Sequence, residues 1–569
     1  MNSAAKKLTC DHQEEWRQHI CKATKEFLKT AVVIDNEPWV VEQVFVNTQT
    51  AESVQTSSSD TGIDGDEYVA SPPETPISPA RIDIRTISDV FIENGISCSF
   101  VLPEDNDTDY SRKKSRAVSA ARLSDITIID WFLIPKDPSL TLQVIDEIAQ
   151  QDKACNGRLR LLCIYTGETI QEHMLDAVIA EYQKHSITLQ KSSELNFSAH
   201  CKDTIIVFKN KTTTPADELP NELITLFSKF ANGLLPSFVL AAAGAIRKNM
   251  DHMVTRFEGE MDAAYVANRL ITNPPGDVAE LIRELFVAEC DNAIGFETVA
   301  DDYLDIEPIT KWINVNEGQF KNTYYQVGEP VPVSYLVDQF TILSLLKNGI
   351  NDRDFVDLKE NKQPFAPGKR LAVSQYLAGG IERSARIENK FSRLVALKRE
   401  LHELSSMVST GKWLPSLTTG TILKLNAEGQ DRFFMCLTPA CDSLRLTGDK
   451  TFVFLEGIKK LKGYSLVVKS SDGQPVSLFF DNKRPLINSF IFQADSAIGR
   501  VVAVKDDTSN FIFSSSQTPI QEFHWIAELR YSRAVSEMAK LASNWMRLGI
   551  LDSEYLRLAS QNNFKFSPN

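Results

Sequence analysis

Four strand-like runs in the N-terminal half of this 569-residue chain each reach a residue that can do chemistry. "TAVVIDNEPW" runs out into Asp35, Asn36 and Glu37, "ITIIDWFLI" holds Asp130, "RLRLLCIYTG" ends on Thr166, and "TIIVFKNK" carries Lys209. A carboxylate at the end of a buried strand is costly unless something pairs with it, so one kept there is more often a site than an accident. Each of these residues alone is a weak signal, and a strand-end carboxylate can be satisfied by backbone donors; the ordered set is more specific. A second candidate lies in "FFMCLTPACDSLRL", where Cys436, Cys441 and Asp442 could join His524 as a Cys–His nucleophile. The two cysteines are too far apart for a usual zinc knuckle. Nothing in the sequence places them beside His524, and buried structural cysteines are commoner.

The first set needs elements to position it. "IDIRTISDVFIENGI" reads as a helix, "SCSFVL" as a strand, "YSRKKSRAVSAARL" as a basic helix or loop, "SLTLQVIDEIAQQ" and "ETIQEHMLDAVIAEYQKH" as helices between the remaining strands. Strands alternating with helices of these lengths predict a parallel sheet with helices on both faces. In such sheets ligands bind outside the carboxyl ends of the strands. All four candidate segments end there.

Asp35-Asn36-Glu37, Asp130, Thr166 and Lys209, in this order at the ends of successive strands, resemble the receiver domain of bacterial response regulators over roughly residues 30–212. The resemblance implies a flavodoxin-like α/β domain with a five-stranded parallel sheet. It also implies a phosphoryl group taken from the phosphohistidine of a sensor histidine kinase. Asp130 would be the nucleophile and phosphoacceptor, Thr166 would donate to the phosphoryl group, and Lys209 would pair with one of its oxygens. Mg²⁺ would be held by the acids after the first strand (Asp35, Asn36, Glu37), by Asp130 and by the main-chain carbonyl of Phe132. Phosphoryl transfer needs positioning and charge neutralisation more than covalent help, which suits these residue types.

The chain departs from that pattern in three places. Asn36 stands where a metal-ligating aspartate is expected, and an amide brings no charge. Asn210 follows Lys209, where proline is usual. The position three before Lys209, often an aromatic that swings inward on activation, is Ile206. On this reading the phosphorylation chemistry is mostly intact and the switch readout compromised.

The rest of the chain divides by pattern. A helix over 1–29 places Trp16, Ile20 and Phe27 near one face; the receiver would span 30–215, with a flexible Ser/Thr/Pro-rich insertion at 47–80. Then come an all-α region at 216–405, a β-rich region at 406–520 that reads as a small barrel or sandwich, and C-terminal helices at 521–569. "SFVLAAAGAI" is too short to span a bilayer and reads as a buried helix; no signal peptide is legible, and nine scattered cysteines suit reduced thiols in the cytoplasm. A net charge of −14 argues against broad nucleic-acid binding, and the basic run Arg112, Lys113, Lys114, Arg116 reads as a solvated helix face. No P-loop, dinucleotide fingerprint, HExxH motif, DNA-reading module or histidine-kinase ATP site is present.

A long receiver protein without a DNA-binding module, with DNEP and no switch aromatic, resembles the accessory receiver proteins of the Detocs anti-phage two-component systems. That resemblance implies a phosphate buffer or sink, addressed by a sensor kinase that also serves a second receiver or effector protein, and needing no conformational output. A phosphorylation-gated effector enzyme in the C-terminal half and a degenerate receiver acting as a scaffold are the alternatives. A homodimer is compatible with each. The expected partners include neither nucleic acid nor membrane.

Overall fold

Four runs buried on both faces build the centre of the N-terminal sheet, and a fifth, more exposed, forms its edge. The computed structural model describes residues 2–39, 81–101, 110–155, 157–272 and 276–320, and between 323 and 545 all but 325–332, 335–338, 350–354, 357–361, 364–366, 404–412, 428, 471 and 507–509. The expected insertion at 47–80 and the chain beyond 545 lie outside the described residues. Two units form, Met1–Asn316 and Glu317–Asn569.

In the first unit the elements are α1 (Asn2–Phe27), β1 (Thr30–Ile34), α2 (Ile84–Glu93), β2 (Ser97–Val101), α3 (Tyr110–Leu123), β3 (Ile126–Ile129), α4 (Ser139–Ala154), β4 (Arg160–Thr166), α5 (Glu172–Lys184), β5 (Gln190–Lys191), β6 (Ser198–His200), β7 (Thr204–Asn210) and α6 (Leu219–Phe227). The sheet order is β2-β1-β3-β4-β7-β6-β5. The first five strands are parallel, as expected, and two short antiparallel strands extend the edge beyond β7. Those two have two and three residues and no apolar run, so no period-two pattern announced them.

Alternation along each strand feeds two cores. Val32, Ile34, Ile129, Ile164 and Phe208 pack with α3, α4 and α5, while Ala31, Val33, Ile128, Tyr165 and Val207 pack with α2 and α6. Helices on both faces are thus present. The cover on the second face includes α6, so the boundary drawn at 215 separates the sheet from a helix that completes it. Buried Arg160 at the start of β4 is held by Asp152 of α4 (2.8 Å) and donates to the Ala121 carbonyl (2.6 Å), tying α3 and α4 to the sheet.

Further helices finish this unit: α7 (Leu234–Lys248), α8 (Met250–Arg256), α9 (Asp262–Ile271), α10 (Gly276–Phe296), α11 (Val299–Leu304) and α12 (Ile306–Asn316). The "SFVLAAAGAI" stretch is in α7 and buries Ser237, Leu240, Ala241, Ala242 and Ala245, as expected for a core helix. Among the described residues no single helix is long and apolar enough to cross a membrane. Trp16 and Ile20 of α1 pack on Leu240. α1 crosses α7 so closely at Gly244 that a Cβ there would meet the Glu26 carbonyl at 2.5 Å.

The first helices of the second unit are α13 (Gln339–Asn348), α14 (Pro367–Ala378) and α15 (Ile381–Ala396). The helical region expected at 216–405 is therefore shared between two units. Then come β8 (Leu397–Glu400), β9 (Thr421–Ala427), β10 (Gln430–Cys436), β11 (Asp449–Lys459), β12 (Leu466–Lys469), β13 (Pro475–Phe480), β14 (Ile487–Gln493), β15 (Val504–Lys505), β16 (Phe511–Ser514), β17 (Glu522–Leu529) and α16 (Tyr531–Trp545). β16, β17, β9, β10, β11 and β14 pair in succession, and β14 returns to the end of β16 through the Phe492–Ser515 bridge. The enclosed core is aromatic, with Phe434, Phe454, Phe490, Phe523 and Trp525 among its members. "EFHWIAEL", expected to be helical, is strand β17. It is buried on both faces, Phe523 and Trp525 inward and Ile526 and Leu529 against the outer core, so its apolar residues form a run without a readable period.

Candidate functional site

The carboxyl ends of β1 and β3 lie side by side, and each chain leaves its strand through an aspartate. Asp130 N donates to the Ile34 carbonyl (2.9 Å), which continues the ladder by one residue and brings Asp130 beside Asp35. Their carboxylates converge on one ammonium: Lys211 Nζ is 2.8 Å from Asp35 Oδ2 and 2.6 Å from Asp130 Oδ2. All three side chains are at most 8% exposed. The second oxygens are also used, since Asp35 Oδ1 accepts from Glu37 N (2.7 Å) and Asp130 Oδ1 from Phe132 N (3.0 Å). Thr141 Oγ1 of α4 donates to the Asp130 carbonyl (2.9 Å) and fixes the strand end from below.

Lys209, the lysine expected here, is elsewhere. Its ammonium pairs with Glu222 of α6. Residues 209 and 211 share a face by the period of two, but 209 is level with Tyr165 inside the sheet. Along the strand it lies roughly 7 Å short of Lys211, two residues at about 3.3 Å each. Lys211 has just left β7, its N donating to the Thr166 carbonyl (2.8 Å), so its side chain can cross the top of the sheet. Tyr165 lies beneath it, ring centroid 5.8 Å from Nζ.

This correction moves two others. The residue after the site lysine is Thr212, so proline is still missing. The position three before it is Phe208, an aromatic, and not Ile206. Phe208 is buried and tilted against Trp131, 5.7 Å between centroids. Trp131 directly follows Asp130.

Of the remaining expected residues, Thr166 is buried and its hydroxyl accepts from Glu168 N (3.1 Å). Asn36 and Glu37 are half-buried in the turn after β1, and Glu37 enters the site through its backbone. Lys113, read as part of a solvated face, turns inward and donates to the Leu133 carbonyl (2.8 Å) in the loop after Asp130. Lys114 of the same run does lie outward, with Glu147 (2.6 Å).

The electrostatics follow from two buried carboxylates sharing this ammonium. Burial, and then the Asp130 charge, push Asp35 up to about 6 in spite of Lys211. Burial works to lower the Lys211 ammonium, but Asp35 and Asp130 together outweigh it and hold it above its ordinary value. The result is a pocket of oxygen donors with surplus negative charge, which fits a hard divalent cation. Among the described residues no group of three His, Cys, Asp or Glu side chains converges, so carbonyls, the Asn36 amide or water would complete its shell.

The Cys–His candidate does not assemble. Cys436 points into the barrel core, where burial pushes its thiol up to about 12, while His524 alternates with the inward Phe523 and Trp525 and faces the other way. Cys441 is exposed.

Residues 27–216 match the family model of the response receiver domain, and this part of the chain is a response receiver domain. A receiver domain points to two-component phosphoacceptor signalling. No curated protein and no solved structure gives a significant match to the chain.

Proposed function

We propose that Asp130 is the phosphoacceptor of this receiver. The Nζ of Lys211 between Asp35 and Asp130 is the observation that carries the reading. A carboxylate oxygen of Asp130 attacks the phosphorus of a kinase phosphohistidine; the O–P bond forms as the N–P bond breaks, and the imidazole leaves. Lys211 is placed to follow the charge from the free carboxylate to the acyl phosphate. Phe132 N and Thr141 hold the acceptor in its orientation, and the Thr166 hydroxyl is available to a phosphoryl oxygen. Asp35, Asp130, the Phe132 carbonyl and the Asn36 amide would hold Mg²⁺, which would supply neutralisation of the phosphoryl charge.

The phosphate-sink role in an anti-phage pathway of Detocs type drew its kinetic sense from an aliphatic residue at the switch position. With Lys211 as the site lysine that position is Phe208, packed on the neighbour of the acceptor. A receiver that couples phosphorylation to a conformational output is the better-supported reading, and the sink becomes its competitor.

The test is transfer from a phosphorylated histidine kinase in the presence of Mg²⁺, read on a phosphate-affinity gel. Label is expected on wild type and on Lys209→Ala and absent from Asp130→Ala. Label that persists in Asp130→Ala refutes the assignment. Rapid loss of label, with no change in Trp131 fluorescence while it lasts, would favour the sink.

A further inference from the structure

We infer that Tyr165 and Asn210 are positioning residues for Lys211: they hold the loop from which its ammonium reaches Asp35 and Asp130. The inference rests on the phosphoacceptor reading above. A lysine ammonium is a point charge on a flexible four-carbon stem, so its place is set by the backbone it starts from and the surface its stem crosses. Tyr165 supplies part of both. It is buried in β4, in the core shared with α2 and α6, and is level with Lys209 on β7. Its ring lies under Lys211, with Nζ 5.8 Å from the centroid and within reach of the ring's negative face. Its hydroxyl donates to the Thr214 carbonyl (2.7 Å), three residues past the lysine. A buried tyrosine hydroxyl needs some partner. Here that partner is the loop carrying the site lysine, and burial pushes the phenol up, so the hydroxyl stays a donor.

Asn210 holds the same loop from its other end. Its amide oxygen accepts from Thr212 N (2.8 Å), and its carbonyl from Thr214 N (2.9 Å). The amide nitrogen donates to the Glu168 carbonyl (2.7 Å) in the turn after Thr166. Glu168 N in turn donates to the Thr166 hydroxyl (3.1 Å). The two residues proposed to meet phosphoryl oxygens, Thr166 and Lys211, therefore stand on loops joined through Asn210. Thr212, and not a proline, follows Lys211, so no ring stiffens the backbone there and side-chain hydrogen bonds restrain it instead.

The test is reductive methylation of the full-length chain with formaldehyde and cyanoborohydride, each lysine being followed by peptide mapping. Lys211 and Lys113 are both buried and should react slowly in wild type. Tyr165→Phe and Asn210→Ala are each expected to raise the rate at Lys211 about fivefold, the effect of one hydrogen bond, and to leave Lys113 unchanged. A general loosening of the domain would expose both lysines. The same variants should accept phosphate from a phosphorylated histidine kinase about fivefold more slowly at saturating donor, with KM unchanged. A Lys211 rate equal to wild type in either variant, a rise matched at Lys113, or transfer at the wild-type rate overturns the inference. Methylation does not depend on the acceptor, so label persisting in Asp130→Ala would overturn the phosphoacceptor reading separately.

Discussion

Replacing Asp35 by asparagine should stabilise the receiver at high pH and leave it unchanged at low pH. Asp35 in the folded chain holds its proton up to about pH 6, against an ordinary carboxyl value of 3.8, because it is buried beside Asp130. The folded state therefore binds the proton more tightly than the unfolded one. The group's favourable contribution is fully present below pH 3.8 and is lost as pH rises through about 6. A gap of about two pH units at 1.36 kcal/mol each makes the loss about 3 kcal/mol above pH 7. An asparagine there would carry no charge at any pH, and its amide oxygen can still accept from Glu37 N. Giving up the contact with Lys211 offsets part of the gain, since a hydrogen bond to a charged group is worth about 1.5–3 kcal/mol. The net expectation is a gain of up to about 1.5 kcal/mol at pH 8 that disappears by pH 4. Because the chain has two units, a single melting curve would mix transitions. Hydrogen exchange read on peptides from β1 and β3 reports this domain alone. Asp35→Asn that destabilises β1 and β3 equally at pH 4 and pH 8 would refute the reasoning, for it would mean that the carboxylate is held at no cost.

Lys211→Ala should depress phosphorylation and its structural consequences, whereas Lys209→Ala should cost only its partly exposed pair with Glu222; equal effects on the phosphate-affinity gel would undo the assignment. Mg²⁺ should slow exchange of β1 and β3 more at pH 8 than at pH 5, because a proton on Asp35 competes with the cation; protection indifferent to pH would contradict the site described. Arg160→Ala leaves Asp152 buried without its partner and should destabilise the domain by about 3–5 kcal/mol, seen as faster hydrogen exchange of peptides from β3 and β4; a change below about 1 kcal/mol would mean that water enters there. Thiol reagents should label Cys441 and Cys155 quickly in the native protein and Cys436 only on unfolding, as peptide mapping would show.

The sequence by itself determined the sheet and three of the four strand-end residues. β1, β3, β4 and β7 are apolar on both faces and alternate with helices, a combination that a parallel sheet covered on both sides satisfies, and the residue that ends such a run is legible as Asp35, Asp130 or Thr166. The lysine was not legible. "KNK" offers two candidates on the same face, and choosing between them needs the level of β7 relative to β4, a relation set by hydrogen bonds between strands distant in sequence. With the lysine went the aromatic, since Phe208 is found only by counting back from Lys211. The inward turn of Lys113 and the Thr141 contact also depend on where α3 and α4 cross the sheet. In the second unit β17 reads as helix because burial on both faces erases the period, and the pairing of β14 with the end of β16 through Phe492 and Ser515 joins segments whose contact no local pattern records. Local chemistry gave the kinds of residue at the strand ends; register and packing decided which of them meet.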